Sequence, residues 1–392
     1  MLTPVTFIPH TDCTGCGSCK AACGVHCIEM QYDERGFLYP YIDDERCVKC
    51  GGCERACPVL NRQSFPHAMK QVFACRAANE NIIKASSSGG LFTVFAEHIL
   101  SRNGCVCGAA YDENFVVSHR VVDNISDLEL LRSSKYVQSS TASALTELRK
   151  RNNEGKPIMF VGTPCQVAAA KRLLGARNAE NHLFVEVVCH GVPSPMVYKK
   201  YIGELEMAAG ARLVALNFRD KSNGWSAYTF HASFANGRSI IHDGHEDPYV
   251  SGFIDNLYLR ECCFSCKFKA GQSGSDLTIG DFWGIEKVSP DLSQDNKGAS
   301  LLCINTERGR LAFDAIESQL CLTVETDLHH AAAKNPCLLD PTTYNPRTRR
   351  FYKYVRTHTV ADAISLARKV TFIDRLMISL RYRFGKIFNA KS

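Results

Sequence analysis

The chain has 392 residues, a formal net charge of +6 and 45% hydrophobic residues, enough for two or three ordinary globular domains. No apolar run reaches the length of a membrane-spanning helix, and Met1–His10 lacks the basic-then-apolar pattern of an export signal, so a cytoplasmic location is expected. Twenty cysteines in such a chain point to metal or redox chemistry and argue against a disulfide scaffold.

Residues 1–66 hold the densest signal. Cys13, Cys16, Cys19 and Cys23 follow the spacing C-x2-C-x2-C-x3-C, and Cys47, Cys50, Cys53 and Cys57 repeat it, with Pro58 after the last. This is the spacing of bacterial two-cluster ferredoxins, in which the fourth thiolate of each run ligates the other run's cluster. Cys13, Cys16, Cys19 and Cys57 are therefore expected on one [4Fe–4S] cluster, and Cys47, Cys50, Cys53 and Cys23 on a second. Gly24 stands where the pattern has proline, and Cys27 is surplus. Paired structural zincs use C-x2-C but need no third and fourth cysteine at these offsets. Alternation around Phe37, Tyr39 and Tyr41 predicts a hairpin between the runs. Cluster charges of about −2 each would largely cancel the basic excess, so no nucleic-acid partner is expected.

A polar linker through Pro66 leads to strand-and-helix alternation. Val72–Ala78 reads as a strand, and Ser86-Ser87-Ser88-Gly89-Gly90 opens a helix through Leu91, Phe95 and Ile99 with a serine cap. Such a turn offers free N–H groups to an anion, although an ordinary helix cap explains it equally well. Cys105–Tyr111 and Phe115–Val122 read as strands, and polar Leu131–Ser140, with Lys135 and Tyr136, as a solvated loop before a helix at Thr141–Lys150. Pro157–Val161, Gly162-Thr163-Pro164-Cys165 and Gln166–Leu174 form a strand, turn and helix; a thiol at a helix N-terminus is biased towards thiolate. Leu183–Val188 is a buried-type strand ending in Cys189-His190-Gly191, and Ser194–Ala209 is a helix. Arg212–Asp220 is a strand, followed by a hairpin turned at Asn236-Gly237. Helical Tyr249–Leu259 runs into Arg260-Glu261-Cys262-Cys263-Phe264-Ser265-Cys266, and Ser275–Gly284 is a strand carrying Asp281 and Trp283 at its end. A further strand, Ala299–Asn305, and helix, Glu307–Gln319, complete an α/β pattern. From Tyr344 the chain is basic and helical; Arg375, Arg381, Arg383 and Lys386 among apolar residues suggest a helix packed on the body, with a membrane-surface or partner contact as the second reading.

The segments SSSGGLFT, LRSSKYVQS, FVGTPCQVAAAK, CHGVPSP, FRDKSNGW, ECCFSCKF and SDLTIGDFWG, in this order over about residues 71–290, resemble the β subunits of F420-reducing hydrogenases and F420-dependent formate dehydrogenases. The resemblance implies an α/β flavoprotein body behind an N-terminal α+β bacterial two-cluster ferredoxin-like domain, with a C-terminal helical tail. It divides the chain into residues 1–66, 67–150, 151–343 and 344–392. It implies one non-covalent FAD exchanging electrons with the clusters, a small organic substrate or an F420-like cofactor, and ferredoxin or another redox protein as partner. F420 itself does not follow. Carried over position by position, Ser87, Ser88, Gly89 and Gly90 become flavin contacts, Lys135 and Tyr136 cover the FAD, and Gly162, Thr163 and Pro164 bring backbone close to the flavin or to a cluster. Asp281 and Trp283 close the site, though core packing alone would explain Trp283. His190 is a candidate proton donor or a hydrogen-bond support for a ligand. Within the same motifs Cys165, Cys189, Cys263 and Cys266 are expected to hold a third [4Fe–4S] cluster; Cys165 and Cys189 end successive strand units, and Cys262 could replace Cys263. Two rival readings are a protein that only relays electrons within a larger complex, without its own substrate site, and nucleophilic chemistry at Cys165 with His190 as base.

Overall fold

The computed structural model describes residues 8–65, 69, 71–175, 179–290 and 294–369. Its N-terminal module has two short helices, Ser18–Ala22 and Gly52–Ala56, and the expected hairpin of β1 (Ile28–Tyr32) and β2 (Leu38–Ile42). Both helices start at a glycine with positive φ, Gly17 and Gly51, each inside a cysteine run. That left-handed backbone is what lets each run turn sharply enough for neighbouring thiols to face one centre.

The body is built on a mixed eight-stranded sheet of order β13-β3-β12-β11-β7-β6-β4-β5. Its strands are β3 (Gln71–Ala77), β4 (Cys105–Tyr111), β5 (Val117–Val122), β6 (Ile158–Gly162), β7 (His182–Val187), β11 (Leu277–Asp281), β12 (Ser300–Ile304) and β13 (Leu320–Thr326). The segments 67–150 and 151–343 thus meet in one sheet. β6 pairs in parallel with β4 and β7, and β7 in parallel with β11. β12 runs antiparallel to both β11 and β3, so β3 points the same way as β11. The central strands are buried on both faces, as their continuous apolar sequences require. A second sheet, β10-β9-β8, comprises β8 (Leu213–Asp220), β9 (Thr229–Phe234) and β10 (Ser239–Asp243). It packs with helix Pro195–Ala209 and with the C-terminal helices Thr348–Tyr354 and Val360–Arg368 around Phe218, Tyr249 and Phe351. The basic stretch with Arg375, Arg381, Arg383 and Lys386 lies outside the described residues. Among the described residues no helix is long and apolar enough to cross a membrane.

Two sequence expectations change. Helix Leu91–Leu100 is capped by Gly90 at φ 95° and by no serine; the Ser86 hydroxyl donates to Ile82 O at 2.6 Å instead. The segment expected as a solvated loop carries buried Val137, Gln138 and Ser139. Its polar groups are consumed internally, since Gln138 Nε2 donates to Thr14 O at 3.0 Å and Ser139 Oγ to His119 Nδ1, and just beyond it Thr141 Oγ1 donates to Cys16 O.

These contacts belong to a wider pattern, in which body side chains donate to backbone carbonyls of the N-terminal module. Arg149 reaches Ala21 O at 2.7 Å, Arg172 reaches Arg55 O, and Ser194 reaches Arg35 O at the hairpin tip. Gly36, at φ +80° in that tip, lies so close to Met196 that a Cβ would fall 2.7 Å from its backbone nitrogen. Gly36→Ala should therefore cost about 2–4 kcal/mol through left-handed strain and overpacking. Removing the exposed Arg356–Glu34 pair at 3.9 Å should cost less than about 1 kcal/mol. Thermal unfolding of both variants checks the contrast.

A buried acid sits in β7. Glu186 is 1% exposed and accepts from Ser273 Oγ and, at 2.8 Å, from Thr278 Oγ1. Burial pushes its carboxyl up to about 7 from an ordinary 4.5, so the folded chain keeps a proton that the unfolded chain releases. Stability should consequently fall as pH rises through that interval, and Glu186→Gln should flatten the fall. Denaturant midpoints at pH 5 and pH 8 test this.

Candidate iron–sulfur and cofactor site

Because β3, β4, β6, β7 and β11 run in one direction, their carboxyl ends share one edge of the sheet. In open α/β sheets this is the edge where ligands bind. β6 delivers Gly162-Thr163-Pro164-Cys165 there, β7 delivers Cys189 and His190, and β11 delivers Asp281 and Trp283. The loop after β3 brings Ser87–Gly90 to the same edge: Gly89 N donates to Ser300 Oγ at 2.9 Å, and Ser300 pairs with Asp281 across β11 and β12. A Cβ on Gly89 would lie 2.6 Å from Cys75 O, so this approach needs glycine.

Cys165, Cys189, Cys263 and Cys266 line one apolar cavity. Thr11, Asp12 and Thr14 of the N-terminal module form part of its wall. Burial, reinforced by neighbouring Cys263 and Cys165, pushes the Cys189 thiol up; burial with Cys266 and Cys263 nearby does the same to Cys165. The bias towards thiolate expected from the helix N-terminus at Cys165 is thus outweighed by desolvation and by crowding of like groups. Cys263 is the exception. A hydrogen bond from Cys262 lowers it to about 7, and Cys262 itself lines the same cavity, beside Arg260. Buried thiols that oppose one another's ionisation suit a cationic metal core, which would supply the compensating charge. A zinc held at about 2.3 Å would draw its sulfurs to about 3.8 Å from one another. Among the described residues, the only metal-type group with ligand atoms all within 4.8 Å of one another is exposed Asp327, His329 and His330. Among the described residues no three cysteine sulfurs all lie that close together.

In the N-terminal module Cys13, Cys16, Cys19 and Cys57 surround a second cavity, where burial, reinforced by neighbouring thiols, pushes the Cys16, Cys19 and Cys57 thiols up. Cys23, Cys47 and the surplus Cys27 meet nearby, Cys27 Sγ lying 3.4 Å from Cys23 Sγ. Cys50 is exposed.

The expected flavin residues divide into groups. Ser87, Ser88, Gly89 and Gly90 converge with Asp281 and Trp283, joined by residues of the FRDKSNGW segment to which sequence reading gave no role. Trp225 Nε1 donates to Asp281 Oδ1 at 2.7 Å, and its indole stacks on Trp283 at 4.6 Å. Lys221 Nζ donates to Ser88 O at 2.8 Å. Arg219, 5% exposed, lies between the Tyr228 and Trp283 rings at 4.1 and 5.0 Å, with Nη2 3.2 Å from Asp281 Oδ2. Its Nε and Nη2 make no hydrogen bond, and the buried Ser87 Oγ has no partner either. Tyr136 joins this group beside Arg219. Lys135 does not: its ammonium turns back on Leu130 O at 3.0 Å and on Arg132 O, and burial brings it down to about 7. Gly162, Thr163 and Pro164 stand on the cysteine side. There Thr163 Oγ1 lies 3.3 Å from Cys165 Sγ and donates to Gln166 Oε1 at 3.0 Å. Gln166 Nε2 donates to Ser139 Oγ, and Ser139 Oγ to His119 Nδ1. Burial holds His119 neutral, down to about 4, so this chain behind Cys165 keeps one hydrogen-bond polarity through the physiological range. His190 is anchored by Asn256 Oδ1 at 2.6 Å and packs edge-on against Phe253.

Residues 155–327 match the family model for the C terminus of the beta subunit of coenzyme F420 hydrogenase/dehydrogenase, and residues 12–61 match a 4Fe-4S dicluster domain. No curated protein matches the chain. Among solved structures, a chain of a xenon-derivatised F420-reducing [NiFe] hydrogenase complex from Methanosarcina barkeri aligns at 14% identity and a TM-score of 0.47, over 78% of this chain and 92% of that one. The chain thus carries, in order, a segment that matches a 4Fe-4S dicluster domain and a segment that matches the C terminus of the beta subunit of coenzyme F420 hydrogenase/dehydrogenase.

Proposed function

We propose that the chain is an iron–sulfur flavoprotein oxidoreductase with three [4Fe–4S] clusters and one FAD, taking electrons from ferredoxin or a similar redox protein to reduce a small organic substrate or an F420-like cofactor. The observation that carries this reading is the sharing of one sheet edge by the four cysteines of the body and the orphaned donors at Ser87 and Arg219. When bound, FAD and the clusters would supply the coupling between two-electron and one-electron transfer. The chain's own residues do the binding and orienting. Arg219, held between Tyr228 and Trp283 and paired with Asp281 through Nη2, offers its Nε–H to an anionic acceptor. Ser87 offers a hydroxyl, and Gly89 and Gly90 let backbone approach closely. Lys221 braces the serine loop through Ser88 O. Cys165, Cys189, Cys263 and Cys266 would hold the body cluster, with Thr163 supporting Cys165. Tyr136 would line the cofactor, while Lys135 stiffens the loop that presents it. His190, fixed by Asn256, acts as a support for the Cys189 turn rather than as the proton donor. The reading as a pure electron relay shares the clusters and differs in lacking a substrate site. Reduced ferredoxin given to the purified chain with candidate acceptors separates the two.

Two outcomes are expected from anaerobically purified protein. Iron should be about twelve per chain, falling by about four in Cys165→Ala while the N-terminal signals persist. Eight irons with one zinc would overturn the third cluster. Acid-released flavin should be about one FAD per chain, and Arg219→Leu should weaken its retention at least tenfold, about 1.4 kcal/mol. Fully iron-loaded protein that binds no flavin would overturn that part of the reading.

A further inference from the structure

Arg260 has 0% of its surface exposed, and it spans the junction between the N-terminal module and the body. Nε donates to Cys13 O at 2.8 Å, Nη2 to Leu38 O at 3.0 Å, and Nη1 lies 3.1 Å from Gln138 Oε1. The guanidinium lies over the Tyr39 ring at 4.2 Å. Gly15, at φ +65°, brings the Cys13–Cys16 loop so close that a Cβ would sit 2.7 Å from Nη1. On its main-chain side Arg260 starts the turn that carries the body's C-x2-C pair, its carbonyl accepting from Cys263 N at 3.0 Å.

Every hydrogen-bond acceptor of its side chain is neutral: two backbone carbonyls and one amide. Among the described residues it forms no ion pair with a carboxylate. A buried, permanent cation without a counter-charge is strongly disfavoured. The groups beside it that can carry negative charge are Cys262, Cys13, Tyr39 and Cys263. Cys13 belongs to one proposed cluster set and Cys263 to another.

We propose that Arg260 is the shared counter-ion of two cluster sites, the Cys13–Cys16–Cys19–Cys57 set and the Cys165–Cys189–Cys263–Cys266 set, and that it raises the reduction potential of both. The proposal rests on the reading that both sets hold [4Fe–4S] clusters. A four-thiolate cluster is anionic and gains a further negative charge on reduction. A fixed positive charge in a low-dielectric interior stabilises the reduced form more than the oxidised one. Arg260 touches the Cys13 loop and the Cys263 turn directly, and the third set, Cys23, Cys47, Cys50 and Cys53, lies on neither of these segments. The effect is therefore selective, and that set serves as an internal reference.

The test is a potentiometric titration of the full anaerobic chain, followed by electron paramagnetic resonance, with iron content measured on every sample. Arg260→Gln removes the charge and keeps a hydrogen-bonding side chain. Two of three cluster signals should become harder to reduce, their reduced-to-oxidised ratio at fixed potential falling at least tenfold, with the remaining signal unmoved. Arg260→Lys should recover most of the shift. Gln138→Glu leaves Arg260 in place and gives it a carboxylate at the position 3.1 Å away; it should depress the same two signals, and it decides the matter if Arg260→Gln fails to load iron. At full iron loading, no shift in Gln138→Glu, or an equal shift of all three signals, would overturn the proposal. If the parent holds only eight irons, the third-cluster reading fails on its own. The counter-ion role at the Cys13 set is then still read from a shift in one of two signals.

Discussion

Parallel pairing of β6, β7 and β11 fixes three strand-to-loop transitions along one edge, about 4.8 Å from strand to strand. Cys165, Cys189 and Asp281 follow those strands and have nowhere else to go. β12 then returns antiparallel and hands Ser300 to the serine–glycine loop, so the polar donors and the thiols become neighbours by topology rather than by sequence proximity. The remaining architecture serves this edge. The small β8–β10 sheet carries Arg219 and, just beyond, Lys221 and Trp225 onto it, and the N-terminal module closes over the thiol end.

Electrostatics decides how crowded such an edge can be. Neighbouring thiols, buried from water, resist ionisation, and the hydrogen bond from Cys262 to Cys263 offsets this only locally. Cations are correspondingly placed without carboxylate partners or with incomplete ones: Arg260 has only neutral acceptors, and Arg219 meets Asp281 through one nitrogen. Both guanidiniums lie over aromatic rings, which lowers the cost of their burial while leaving their edges available.

The legible parts of the sequence were those whose meaning is local. C-x2-C spacing acts within one turn of chain, so both N-terminal cysteine runs could be read directly, and the strand-end positions of Cys165 and Cys189 followed from periodicity. The hairpin around Tyr39 was legible for the same reason. Arg260 and Arg219 were visible as letters in their motifs but not as actors, because what gives them meaning lies far along the chain: Cys13 is 247 residues from Arg260. Residues 131–140 misled because polarity usually means solvent, whereas here Gln138 and Ser139 find acceptors in the interior. Serine before a helix suggested a cap; the helix used Gly90's positive φ instead, since that backbone lets the loop touch β3 and β12. A strand such as β13, half exposed and without strict alternation, gave no comparable signal.

The seam between module and body is asymmetric. Body side chains supply donors, and the module supplies bare backbone carbonyls: those of Cys13, Thr14, Cys16, Ala21, Arg35 and Arg55 are all claimed in this way. Carbonyls are present whatever the side chains are, so apart from Gly15 and Gly36, which permit close approach, and Tyr39 beneath Arg260, the module's surface sequence can drift without loosening the joint. The burden of inheritance falls on Gln138, Thr141, Arg149, Arg172, Ser194 and Arg260 instead. A foreign module with the same backbone path could be received by this body, whereas a foreign body lacking those six donors could not hold this module.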